Sequence, residues 1–222
     1  MYTNFFFFDI ETTSKYGDFN TLKLNDPRGS ELFTKKCERM ADFDEWKGKT
    51  VEELYVNKSP LLAEHGKIIC LSFGMFKDSA SDTPIIRTLI NDNEEILMAE
   101  IKQLFDKVSK SGKRICGYNV KNFDVPWIIR KLYKYNLDIP SIINVIDKKP
   151  WETGIIDLYS YFVKYTSMDE VAYDLGIESS KNNLDGSKVH EYYWIKRDNQ
   201  SIMNYCEQDV RVLVDISRKI KL

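Results

Sequence analysis

Apolar residues run without a break through Asn4–Ile10, where Phe5, Phe6, Phe7 and Phe8 leave no polar face. A short aromatic-rich run without helical period predicts a strand, and one apolar on both faces belongs in the middle of a sheet. Gly66–Phe76 (GKIICLSFGMF) and Pro84–Ile90 (PIIRTLI) predict two more strands. From Asn93 to Lys110 the pattern changes: Ile96, Leu97, Ile101, Leu104, Phe105 and Val108 recur near the helical period. Ser111-Gly112 ends that helix, and Arg114–Gly117 reads as a fourth strand. Val125–Tyr135 is helical, with Asp124 at the N-cap position and Pro126 in the first turn. Gly154–Asp157 predicts a fifth strand, and helical patterns follow over Leu158–Tyr165, Met168–Leu175, Ser187–Ile195 and Asp198–Ile220.

Strands come first, some of them adjacent without a crossover helix, and helices gather towards the end. That order predicts an α/β fold with a mixed sheet of about five strands flanked by helices, the last helix packed across the central strand. Thr12–His65 is polar, with weak helical signals near Glu31–Ala41 and Thr50–Asn57. It reads as an insertion between the first two strands, a flap facing the substrate. No repeat, linker or low-complexity tract divides the chain, so residues 1–222 are expected to form a single domain.

Composition narrows the classes of function. The 222 residues are 43% apolar and 30% charged, which suits a folded domain rather than a disordered chain. Lys+Arg number 32 against Asp+Glu 34, a formal net charge of −2, which argues against a basic wrapper of nucleic acid. A nucleic-acid enzyme stays open, because bound cations supply the positive charge that the side chains lack. Cys37, Cys70, Cys116 and Cys206 form no CxxC pair, which argues against a disulfide framework or a zinc site and fits a reducing cytoplasm. The Phe run is too short for a signal peptide, and no apolar stretch approaches the ~18 residues of a membrane span. The expectation is a soluble cytoplasmic protein with no membrane partner.

Three short segments bring acids to places where chemistry is done. Asp9 and Glu11 stand two apart at the end of the first strand, so they project from one face. Two such carboxylates repel unless a cation sits between them, and oxygen ligands of this kind suit Mg²⁺ or Mn²⁺. A strand that ends at Asp9 with both acids solvated is the alternative. In Gly117-Tyr118-Asn119-Val120-Lys121-Asn122-Phe123-Asp124, the acid stands at a helix start beside an amide and an aromatic ring. Such groups hold a phosphate or sugar and stack on a base, although an Asp N-cap alone explains the acid. In Tyr205-Cys206-Glu207-Gln208-Asp209, Tyr205 and Asp209 share one face of the last helix. A buried carboxylate there needs a partner, either a metal ion or a neighbouring hydroxyl.

In order, FFFFDIETT, GYNVKNFDVPWI and YCEQDV closely resemble the three exonuclease motifs of the DEDD superfamily of 3′–5′ exonucleases. Tyr205, where another branch carries histidine, points to the tyrosine branch, and within it the chain resembles the proofreading exonuclease domain of family B DNA polymerases. The motifs span Asp9 to Asp209, whereas the Thr12–His65 insertion matches nothing in that pattern. The resemblance implies a ribonuclease H-like fold and a site for two divalent cations, Mg²⁺ or Mn²⁺, held by Asp9, Glu11, Asp124 and Asp209. It implies that Tyr205 hydrogen-bonds the attacking water, and that the backbone around Ile10 and Thr12, with Asn119 and Phe123, binds the terminal nucleotide. The substrate would be nucleic acid with a free 3′ end, single-stranded DNA first, and the partners replication or repair proteins. A 3′–5′ exoribonuclease and a catalytically silent nucleic-acid-binding module are the rival readings.

Other polar residues read as structural. His65 and His190 stand in no motif, and Asp157 at a strand end is suited to cap the next helix. Lys181 and Lys188 sit in a basic loop, Trp127 and Trp194 are placed for helix packing, and Cys206 has no base beside it to make it a nucleophile.

Overall fold

The computed structural model describes residues 2–78, 80–149, 152–178 and 184–222. Its sheet has five strands: β1 (Phe5–Ser14), β2 (Gly66–Met75), β3 (Ile85–Ile90), β4 (Arg114–Gly117) and β5 (Ile155–Asp157). They lie in the order β3-β2-β1-β4-β5, with β1 in the middle. β1 runs antiparallel to β2 and parallel to β4, and β4 runs parallel to β5, so the sheet is mixed. β1 continues four residues past Ile10 and carries Glu11 within the strand. Its pairing with β2 shifts register between Glu11 and Thr12, a bulge of the kind that turns side chains at the rim of a site.

The segment after β1 is helical and has a core of its own. It contains α1 (Phe19–Asn25), α2 (Pro27–Met40) and α3 (Val51–Lys58), packed around Phe19, Leu22, Phe33, Cys37, Trp46, Leu54 and Tyr55. Phe33 and Tyr55 are fully buried, with rings edge-on at 5.3 Å between centroids. The start signals were local and easily outweighed by the high charge of the segment. The Asp18 side chain caps α1, Asp26 accepts from Gly29 N–H ahead of α2, and Thr50 with Glu53 forms a capping box on α3. β1 runs on to Ser14, so the segment between β1 and β2 starts after it rather than at Thr12.

The remaining helices are α4 (Glu94–Lys110), α5 (Asp124–Lys134), α6 (Met168–Asp174), α7 (Val189–Glu191) and α8 (Asn199–Lys219). The helix expected over Leu158–Tyr165 is only a 3-10 turn, Leu158–Tyr161, started by Asp157. The one expected over Ser187–Ile195 is broken into a 3-10 turn, the single turn α7 and a π-helical stretch, Tyr192–Lys196. Indole and imidazole hydrogen bonds tie this stretch to the end of β1: Trp194 Nε1 donates to Ser14 O at 3.1 Å, and His190 Nδ1 lies 2.8 Å from Ser14 Oγ. No helix among the described residues is long and apolar enough to cross a membrane.

Alternation along β1 divides the core into two layers. Phe6, Phe8 and Ile10 pack with Leu97, Ile101 and Phe105 of α4 and with Ile128 and Leu132 of α5. Phe5 and Phe7 face the other way, onto Val210, Leu213 and Val214 of α8. Burying each such ring contributes about 1.5–3 kcal/mol. The strand's period of two then carries Asp9 and Glu11 onto the α8 side, directly beyond Phe7.

Candidate active site at the end of the central strand

Three elements meet where β1 leaves the apolar core. β1 supplies Asp9, half-buried, and Glu11, buried. α8 crosses β1, β2 and β3 and presents the stripe Ile202, Cys206, Asp209, Val210 and Leu213 to the sheet. A carboxylate oxygen of Asp9, one of Glu11 and the Cys206 sulfur all lie within 4.8 Å of one another. Tyr205, half-buried, hydrogen-bonds Asp209 one helical turn along.

The third element is the turn between β4 and α5. Gly117 opens it because nothing larger fits: a Cβ there would stand 2.9 Å from Val120 Cβ and 3.2 Å from Phe8 O. Asn119 adopts the left-handed conformation (φ 55°), and its carbonyl accepts from Asn122 N–H and Phe123 N–H. The chain then enters α5 with Phe123 at the N-cap, and Phe123 makes no side-chain cap. Asp124 is the first helical residue rather than the cap, and its Oδ1 accepts the Ile10 main-chain N–H at 3.2 Å. Helix and central strand are thereby joined through the acid itself. Asp157 holds the turn from below, accepting from Lys121 N–H at 3.0 Å and Tyr159 N–H at 3.1 Å.

Burial first, and then the crowding of these acids, raises their affinity for protons. Burial, then Asp124 and Asp209, pushes the Asp9 carboxyl well above the ordinary carboxylate range. Glu11 is pushed well above it by burial and then by Asp9. Asp124 is pushed up to about 7, mainly by burial, with Asp157 and Asp209 adding to it and the Ile10 N–H opposing. The Tyr205 phenol is raised as well, by burial first and then by Asp209, Glu11 and Asp9, so it is a neutral hydroxyl at any ordinary pH. Without positive charge the carboxylates destabilise one another. The donors are hard oxygens, which fits divalent cations such as Mg²⁺ or Mn²⁺.

The residues expected to bind the terminal nucleotide each make contacts within the protein. The Ile10 side chain is in the core and its N–H is taken by Asp124. Thr12 is buried and donates to Pro60 O at 2.6 Å. Asn119 Oδ1 accepts from the Asn122 amide at 2.9 Å, while the Phe123 ring, half-buried, lies 5.8 Å from that of Trp127. Lys188 pairs with Asp185 at 3.4 Å, and Lys181 lies outside the described residues. His65 packs edge-on against Phe33, and His190 bridges Ser14 and Gly17. Sequence reasoning missed the place of Cys206 against Asp9. The spacing Ile202, Cys206, Val210 was its signal, since it sets the thiol on the face that meets the sheet.

A family model described as the RNase_H superfamily matches residues 58–221. The chain belongs to this superfamily. No curated protein matches it. Among solved structures, this RNase_H superfamily member is similar to the family B DNA polymerase from the hyperthermophilic archaeon Pyrobaculum calidifontis, with a TM-score of 0.56 and 16% identity. That match covers 98% of this chain and 24% of the polymerase, so the chain spans about a quarter of that protein's length, and the likeness is one of fold. Membership of the RNase_H superfamily supports a nuclease that acts on nucleic acid, and nucleases of this fold use divalent metals.

Proposed function

We propose that this chain is a metal-dependent 3′–5′ exonuclease of the tyrosine branch, removing 5′-mononucleotides from single-stranded DNA. The observation that carries the reading is the pairing of Asp9 and Glu11 within 4.8 Å at the end of β1, with Asp124 and Asp209 near enough to raise the Asp9 carboxyl and Tyr205 bonded to Asp209. Those four carboxylates would hold two divalent cations. When bound, such ions lower the pKa of the attacking water and stabilise the leaving 3′-oxygen.

The chain's own groups do the rest. Tyr205 keeps its proton, so its hydroxyl orients the water instead of deprotonating it. The Ile10 N–H and the Asp157-anchored turn fix Asp124 against the end of β1. Phe123 offers its half-buried ring for stacking on the terminal base, and the Asn119 amide stands one turn before it.

The test is digestion of oligonucleotides labelled at the 3′ or the 5′ end, as DNA and as RNA, with Mg²⁺, Mn²⁺ or EDTA. The reading expects early loss of the 3′ label as mononucleotide, a shrinking ladder from the 5′ label, and no cutting in EDTA. Faster digestion of RNA would make the enzyme an exoribonuclease. Binding of 3′ ends without cutting in either metal would leave a binding module.

A further inference from the structure

β3 is the edge strand of the sheet, and α4 leaves it uncovered. Register puts Ile85, Arg87 and Leu89 of β3 on the same face as Phe73 and Met75 of β2, the face on which α4 packs. Between β3 and the Glu100, Gln103, Leu104 and Lys107 stripe of α4 runs a groove of about 700 Å³, a size that suits a bound ligand. Met75, Leu89 and Leu104 line it half-buried, and Ile85 is exposed beside them. Its charged lining is Lys77, Arg87, Lys107 and Lys113 against the single acid Glu100, in a chain whose net charge is −2. Lys77, Arg87 and Lys107 are exposed and join no ion pair among the described residues. Along its outer side β3 pairs with no described strand, so alternate N–H and C=O groups there are open to a partner.

We propose that this groove docks an extended peptide of alternating acidic and aliphatic character, which adds to the sheet as a further strand beside β3. Its main chain pairs with the open edge, its aliphatic side chains enter over Met75, Leu89 and Leu104, and its acids meet Lys77, Arg87 and Lys107. The six residues of β3 fix the paired length at ~20 Å. Charge decides against a second copy of this chain, because edge-to-edge pairing would set one Arg87 strand against another. Nucleic acid fits less well: Phe73 and Phe76 are buried, so bases meet no ring to stack on in the groove. Asp9 and Glu11 lie on the opposite, α8 side of the sheet, so a docked peptide leaves them open and the inference is independent of the nuclease reading.

The probe is a fluorescein-labelled peptide of about eight residues alternating Leu and Asp, long enough to cover β3. It is titrated into the full chain at low salt, with anisotropy reporting binding and amide hydrogen exchange reporting β3. Parallel titrations use the peptide with Lys in place of Asp, the peptide with an N-methylated main chain, and labelled oligo-dT. The expected result is saturable binding of the acidic peptide alone, with slowed exchange along Ile85–Ile90. The double variant Arg87→Glu with Lys107→Glu should bind it ~10-fold more weakly or worse, because like charges then face each other. Both side chains are exposed, so that variant should melt like the parent. Failure of the acidic peptide to bind the parent overturns the inference. Equal binding of the Lys or the N-methylated peptide, or binding unmoved in the double variant, also overturns it. Oligo-dT that slows β3 exchange in the parent and not in the double variant assigns the groove to nucleic acid instead. Self-association that the double variant abolishes assigns it to a second copy, and either result overturns the peptide.

Discussion

The Ile10 main-chain N–H donates to Asp124 Oδ1 at 3.2 Å across 114 residues of sequence. This single bond joins the central strand to the first turn of α5, and it is made by a carboxyl group whose ionisation is costly where it sits. Structure and charge at the site are therefore linked.

Asp124→Asn keeps an oxygen for the Ile10 N–H and removes the charge. An unfolded-chain carboxyl titrates at about 3.9, whereas folding raises Asp124 to about 7. The protonated form is favoured by the fold, so its contribution is complete below pH ~4 and is lost as pH rises through ~7. The difference in stability between Asp124→Asn and the parent should grow over that window to an order of a few kcal/mol. Urea melts of both proteins from pH 4 to 8 would show it, and a difference independent of pH would refute it.

Divalent cations should reverse that loss. With Mg²⁺ or Mn²⁺ at about 100 times its dissociation constant, the parent should gain roughly 2.7 kcal/mol at pH 8. Asp9→Ala should gain far less. Thermal melts with and without EDTA measure both.

Asp9→Ala should abolish hydrolysis. Tyr205→Phe should fold and bind metal like the parent while slowing single-turnover release of 3′-terminal nucleotides, with ~10²–10⁴-fold as the upper guide for a general-base-sized loss. A Tyr205→Phe enzyme as fast as the parent would remove the hydroxyl from the mechanism.

Gly117→Ala tests the turn that delivers Asp124. The new methyl would meet Val120 Cβ at 2.9 Å and the Phe8 carbonyl at 3.2 Å. Overpacking of this kind costs about 1–3 kcal/mol. Activity should fall further than the lost stability explains, because the Ile10–Asp124 contact lies at the far end of the same turn.

Phe33→Ala tests the insertion. Phe33 is fully buried against Phe19, Tyr55 and His65, so its loss should destabilise the protein by roughly 3–5 kcal/mol. A solvated flap would show almost no change in a denaturant melt.

Local pattern by itself determined the five strands and the long helices α4, α5 and α8. A period of two or of 3.6 is a property of neighbours along the chain, and the core rewards it wherever it occurs. It also put Asp9 beside Glu11 and Tyr205 beside Asp209, since each pair shares one element. The packed core of residues 19–55 escaped that reading because its apolar positions are sparse among charges and become a core only when three helices meet. The broken helix at 187–196 escaped it because its Trp194 and His190 side chains are anchored on Ser14, 180 residues from Trp194. Only tertiary structure decided that Asp124 bonds Ile10 instead of capping its own helix, and that Cys206 lies against Asp9. Both contacts depend on sheet order and on where α8 crosses it, and no spacing along the chain encodes a distance between elements more than a hundred residues apart.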